Sequence, residues 1–120
     1  MNRTLVIKAT SGEEDPERCN QAFTVAAAAA AAGVDVSLWL TGEAAWYAVP
    51  GRAASFRLPH AAPLPDLLEG VLAAGRVTVC TQCAARRDLT AQDLIDGVRI
   101  AGAPAFVEET LQDGAQALVY

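Results

Sequence analysis

The residues from Leu5 to Leu40 spell a strand, a long helix and a second strand, and that succession constrains the fold more than any other feature of the chain. Leu5-Val6-Ile7-Lys8-Ala9 is a short, mostly apolar run ended by the turn residues Thr10-Ser11-Gly12, which predicts a buried first strand. Asp15 then offers a side-chain cap, and Pro16 occupies the first helical position, where its missing N–H costs nothing. The helix is expected to run to about Ala32, with Gly33 stopping it in a left-handed conformation. Val34-Asp35-Val36-Ser37-Leu38-Trp39-Leu40 has the β-branched and aromatic content of a second strand. A unit of this length implies a parallel pair joined by a right-handed crossover.

The remainder repeats the alternation after one interruption. From Thr41 to Pro63 periodicity is lost; a helical turn is expected around Ala44 to Ala48, and Pro50-Gly51, Pro59 and Pro63 punctuate a long loop. Loops of that length tend to be lids, binding surfaces or interface arms. Leu64 to Ala74 returns to helical spacing, with Gly75 as its stop, and Arg76-Val77-Thr78-Val79-Cys80 reads as a third strand. Thr90 and Asp93 fit a capping box, so a short helix is expected from Ala91 to Gly97. Val98 to Ile100, a helix from Pro104 to about Asp113, and Gln116 to Tyr120 complete the pattern. The expected fold is α/β: one domain over residues 1–120, a three-layer sandwich with a five-stranded, mainly parallel sheet.

Composition narrows the function classes. Apolar residues make up 52% of the chain and charged residues 19%, an ordinary globular balance. Much of the apolar share is alanine, so the interior is thin in bulk, and burial against other copies of the chain is expected. The net charge of −5, a lone lysine (Lys8) and a single dense basic spot at Arg86-Arg87 argue against nucleic acid as a partner. The alanine run Ala26 to Ala32 is too short and too weakly hydrophobic to span a bilayer, so no membrane association is expected. The N-terminus runs straight into a strand without a secretory pattern, so a cytoplasmic location with the three cysteines reduced is expected.

Chemistry is expected where strand three ends. In an open parallel sheet, ligands gather at the carboxyl ends of strands, and Cys80 falls at such an end. Backbone N–H groups of the following turn, together with Arg86 and Arg87, would favour its thiolate, the nucleophilic form. Cys83 lies at the spacing from which a second thiol resolves a mixed disulfide or persulfide. The same C-x-x-C could be half of a zinc site, but no second pair exists, and Cys19 and His60 are the only other soft ligands; no metal is expected. Two small cysteines that simply pack is the competing reading.

Other residues invite both structural and functional readings. Cys19, one turn into the first helix, reads as structural, and His60 as a loop histidine that could serve a thiol as a base if the loop closed over it. Trp39, Trp46, Tyr47 and Phe56 gather around the long loop and suggest a subunit interface. Glu13, Glu14 and Asp15 read as a solvated helix start. Thr10 and Ser11 form a small polar turn able to bind a ligand, but neither phosphate-binding glycine motif occurs, and no cofactor is expected.

The stretch Val79-Cys80-Thr81-Gln82-Cys83-Ala84-Ala85-Arg86-Arg87-Asp88-Leu89, with the alanine-rich first helix and the segments Asp93 to Val98 and Phe106-Val107-Glu108, resembles the DsrE/DsrF-like family over nearly the whole chain. That family includes sulfur-relay subunits and YchN-like proteins. The resemblance implies a DsrE-like fold and a trimer or hexamer. It also implies a persulfide-carrying role for Cys80, with Cys83 matching a second cysteine of some relatives. Asp88 departs from the family, which often has glycine there, and sets a carboxylate beside the cysteine loop. The leading expectation is a sulfur-relay protein in which Cys80 accepts sulfane sulfur from a donor protein, Arg86 or Arg87 steadies the anion, and Cys83 resolves or protects it. A non-catalytic oligomeric or ligand-binding module, and thiol–disulfide exchange through Cys80 and Cys83, are the alternatives.

Overall fold

The structure, a computed structural model, describes residues 3–120. Its strands are β1 (Thr4–Ala9), β2 (Asp35–Leu40), β3 (Arg76–Cys80), β4 (Arg99–Ala101) and β5 (Ala115–Val119). They form one five-stranded sheet in the order β4-β3-β2-β1-β5, and every neighbouring pair is parallel. Helices α1 (Pro16–Ala31), α2 (Leu64–Ala74), α3 (Thr81–Arg86) and α4 (Ala103–Thr110) make the connections. The chain steps outward from β1 to β4, and α4 then carries it back to the far flank of β1. Right-handed crossovers therefore put α1 and α2 on one face of the sheet and α4 on the other.

Strand register sorts the side chains between those faces. Ile7, Ala9, Val36, Leu38, Leu40, Val77 and Val79 share the α1/α2 face and its apolar core. On α1 the buried residues are Cys19, Ala22, Phe23, Ala26 and Ala30, at spacings of three and four. Small alanines let the helix backbone approach the sheet closely, so a thin side-chain layer still packs without voids. Asp15 caps α1 by accepting from the Arg18 N–H at 3.4 Å, and Gly33 follows it at φ 85°, as the sequence predicts.

The segment after β2 has the helical turn expected around Ala44 to Ala48 and is more regular beyond it than the long loop expected. It contains two 3-10 helices, Gly42–Ala48 and Arg52–Ser55, which turn Ala44, Ala45, Tyr47, Ala48 and Ala53 inward. Phe23, Tyr47 and Phe56 stack edge-to-face, with ring centroids 6.1 and 5.8 Å apart. Tyr47 and Phe56 thus belong to the core and not to a subunit interface, Trp39 is buried on the opposite face, and only Trp46 of the four is half-buried. The long connection is part of the fold because its aromatics fill space that alanine-rich α1 leaves open.

The α4 face is polar. Val6, Lys8, Ser37, Trp39, Thr78 and Cys80 project there. Glu109 of α4 accepts hydrogen bonds from Ser37 Oγ at 2.5 Å and Trp39 Nε1 at 3.2 Å, and pairs with Arg99. Arg99 in turn donates to Thr78 Oγ1 at 2.7 Å. Ser37 and Thr78 are fully buried, so each hydroxyl needs these partners.

Two local expectations change. Thr81–Arg86 is a helix where a turn was expected, because Gln82, Ala84, Ala85 and Arg86 are all good helix formers. The capping box of Thr90 and Asp93 does form, but it opens only the 3-10 turn Ala91–Asp93. Leu94 is extended and buried, and the Ile95 N–H bonds the Ala48 carbonyl at 2.9 Å, so tertiary pairing replaces helix propagation.

Candidate functional site

Cys80 is the last residue of β3 and the N-cap of α3, with extended backbone angles (φ −62°, ψ 133°). The buried Val77-Thr78-Val79 stretch fixes the strand, and the helix formers after Thr81 fix the turn out of it. This geometry directs the first N–H groups of α3 back towards the Cys80 sulfur, although no side-chain hydrogen bond closes the cap. Burial pushes the Cys80 thiol up, but the backbone N–H groups of Cys83 and Gln82, the Cys83 side chain and the charge of Lys8 outweigh it. The net direction is down, towards the thiolate, and the residue is only half-buried.

Cys83 lies in the first turn of α3 and is buried. Its Sγ accepts the Gly42 N–H at 3.2 Å. Gly42 has φ 55°, and a Cβ there would stand 2.5 Å from the Thr10 carbonyl oxygen, so only glycine fits. Next to it, Glu43 takes two hydrogen bonds from Arg87, 2.7 Å from Nη2 and 3.1 Å from Nε, while Arg87 Nη1 donates to the Cys83 carbonyl at 3.1 Å. The Arg87 hydrogen bonds hold the Glu43 carboxyl below its usual range. The segment leaving β2 is thereby strapped across α3, directly over the second thiol.

The structure brings Cys80 and Cys83 together on one helical turn and places the other candidates around them. Arg86 is exposed and donates to Gln82 Oε1 at 3.3 Å, and Arg87 is engaged with Glu43. Thr10 lies at the carboxyl end of β1, where its N–H and Oγ1 both donate to the Tyr120 carbonyl, at 3.1 and 2.5 Å. Ser11 is buried, with its Oγ 3.4 Å from the Asp15 carbonyl. These two residues bind the β1 end to the C-terminal strand and to the start of α1. Cys19 is fully buried and burial, followed by the charge of Glu14, pushes its thiol up to about 12, consistent with the structural role expected of it. His60 is exposed in a turn at φ 65°.

Sequence reasoning missed Lys8, Gly42 and Glu43. Lys8 carried a signal, a lone lysine in an otherwise apolar strand; Gly42 and Glu43 sit just past the β2 end, where site loops are expected, but nothing in their spacing ties them to Cys83.

Sheet order and a strand-end cysteine define an α/β protein whose candidate site is built by one strand-to-helix junction. The DsrE/DsrF-like family model matches residues 4–120, and the chain belongs to that family. Among solved structures it is similar to the ychN protein of E. coli, with a TM-score of 0.79 at 23% identity and 100% coverage of both chains. A protein of unknown function from Methanobacterium thermoautotrophicum superposes with a TM-score of 0.73 at 11% identity, covering 99% of this chain and 100% of that one. Another, from Bacteroides thetaiotaomicron, gives 0.64 at 14% identity, covering 98% and 94%. At these identities the likeness establishes the fold alone. No protein of curated function matches the chain in sequence. Among the described residues, no helix is long and apolar enough to cross a membrane.

Proposed function

We propose that this chain is a cytoplasmic, single-domain sulfur-relay protein that carries sulfane sulfur as a persulfide on Cys80. The observation that carries the reading is the half-buried Cys80 sulfur at the N-cap of α3, lowered towards the thiolate, beside a buried second thiol. The Cys80 thiolate attacks the outer sulfur of a donor persulfide; a bond forms between the two sulfurs, the donor S–S bond breaks, and the donor leaves as a thiolate. An acceptor thiolate then takes the outer sulfur from Cys80 by the same displacement. Alternatively, the Cys83 thiolate attacks Cys80 Sγ, expelling hydrosulfide and leaving a Cys80–Cys83 disulfide. The placement of both thiols on one helical turn also favours a second reading, thiol–disulfide exchange through the same pair. Arg86, exposed at the end of the same short helix, would meet an incoming anionic partner, while Arg87, closed on Glu43, holds the strap over Cys83.

Mass spectrometry after exposure of the reduced protein to a small persulfide donor tests the relay. A sulfur adduct on Cys80, absent from Cys80→Ser, is expected; no adduct above that control refutes carriage. A defined reduction potential for the pair, without sulfur loading, would instead support exchange. If neither appears and Cys80→Ser alters only stability, a non-catalytic module remains.

A homo-oligomer, a trimer or hexamer as the resemblance implies, is part of the proposal. Val107, Leu111 and Val119 are 50%, 77% and 63% exposed, and no residue of α4 is fully buried.

A further inference from the structure

We propose that Lys8, held over the Phe106 ring, is the counter-cation of the Cys80 sulfur, acting along the α4 face of the sheet. The inference rests on Cys80 being the reactive thiol, not on sulfur being what it carries.

The first argument is register. Lys8 pairs with Trp39 and Trp39 with Thr78, so Lys8 and Cys80 project from the same face, with one strand between them and Cys80 one step of the pleat beyond Thr78. Strands ~4.8 Å apart and a lysine stem of about 6 Å bring the ammonium to within about 10 Å of the sulfur, inside the range over which charges act in ordinary buffer.

The second is the cost of the arrangement. Lys8 is half-buried in an apolar strand, and among the described residues it makes neither a hydrogen bond nor an ion pair through its side chain. Its Nζ sits 4.0 Å from the Phe106 ring centroid, and Phe106 stacks edge-on against buried Trp39 at 5.3 Å. The ring offsets part of the desolvation of the ammonium and fixes its position, but it leaves the charge unneutralised. A half-buried cation without a carboxylate partner among the described residues adds little to stability by itself.

The third is that the other charges around Cys80 are either paired or exposed to solvent. From α3, Arg87 is closed on Glu43 of the strap; Arg86, hydrogen-bonded to the neutral Gln82, and Asp88 past the end of the helix are both exposed, where solvent screens them; and the Cys83 thiol is the remaining titratable neighbour. From α4, Glu109 is closed by Ser37, Trp39 and Arg99. From β4 the residue paired with Cys80 is Ala101. Among the described residues Lys8 is a cation of this face of the sheet with no carboxylate partner, and its charge contributes to holding the Cys80 thiol down.

Iodoacetamide alkylation of the full chain, followed residue by residue by mass spectrometry across pH, tests the assignment. Buried Cys19 and Cys83 serve as internal controls. Lys8→Met, which keeps the stem and its packing, is expected to slow alkylation of Cys80 at pH 7 by about threefold and move the midpoint of its pH profile upward. High salt should shrink the difference between wild type and Lys8→Met, and Lys8→Arg should restore most of the rate. Superimposable profiles for wild type and Lys8→Met, or a Lys8→Arg as slow as Lys8→Met, would overturn the assignment. If Lys8→Met does not fold, Phe106→Leu keeps the cation and removes its seat; a slower Cys80 is expected, and an unchanged one counts against the proposal. Loss of persulfide loading with the Lys8 effect intact would refute the relay and leave this inference standing, and the reverse result would do the opposite.

Discussion

Gly42 shows how much of the site depends on single residues whose role is steric. Its positive φ and its approach to the Thr10 carbonyl hold the N–H that caps Cys83. Gly42→Ala is expected to cost about 1–2 kcal/mol in denaturant unfolding and to raise alkylation of Cys83 in the native state, because the strap must lift to admit a methyl group. Asp88 is the opposite case. It has φ 54°, the left-handed region, directly after the α3 C-cap Arg87. That explains why a glycine suits this position in the family, and why aspartate, a tolerant residue there, can replace it. Asp88→Gly should unfold within about 0.5 kcal/mol of wild type, whereas Asp88→Val should lose about 1–2 kcal/mol, both read from denaturant midpoints. The sequence carried the residue types of this site plainly: Cys80 at a strand end, Cys83 three residues on. It did not carry the partners, because the Gly42–Cys83 and Glu43–Arg87 contacts join residues more than 40 positions apart with no pattern of their own.

Among the elements, legibility follows burial. α1 and α2 begin and end close to where caps, proline and glycine place them, since each carries a regular apolar stripe. Between Gly42 and Ser55 the sequence announces only the helical turn around Ala44 to Ala48; the second, Arg52–Ser55, is silent because small alanines in 3-10 turns carry no 3.6-residue period. α4 is the element whose hold on the sheet is electrostatic more than apolar. Burial pushes the Glu109 carboxyl up, but Ser37, Trp39 and Arg99 more than compensate and hold it below the usual range. A depressed carboxyl stabilises the fold above its unfolded value of about 4.3; the contribution fades below that pH and is gone once the lower folded value is passed. Glu109→Gln is expected to cost about 2 kcal/mol at pH 7 and to flatten the loss of stability between pH 5 and 3. Trp39 fluorescence, with its indole N–H on Glu109, reports the undocking directly.

For the whole molecule, the apolar surface left on the α4 and β5 side is the property with the widest reach. Leu111→Glu together with Val119→Glu is expected to convert an assembly to monomers at micromolar concentration, by analytical ultracentrifugation, while the far-ultraviolet circular dichroism is unchanged. A wild type that is already monomeric at millimolar concentration would remove the oligomer from the proposal. The sequence foretold five strands and a parallel sheet, but not their order. Nothing in Ala115–Val119 says that it inserts beside β1 instead of extending past β4; that choice is made by α4 crossing the second face.

That placement has a consequence for biosynthesis. Thr4 pairs with Ala115, so one flank of β1 stays uncovered until β5 has been made. At ribosomal speeds of about 5–20 residues per second, the wait lasts roughly 5 to 20 seconds, during which a hydrophobic strand offers open hydrogen-bonding groups to whatever it meets. Prematurely terminated products lacking β5 should therefore be the species that chaperones capture or that aggregate, even though both cysteines of the candidate site are already present in them.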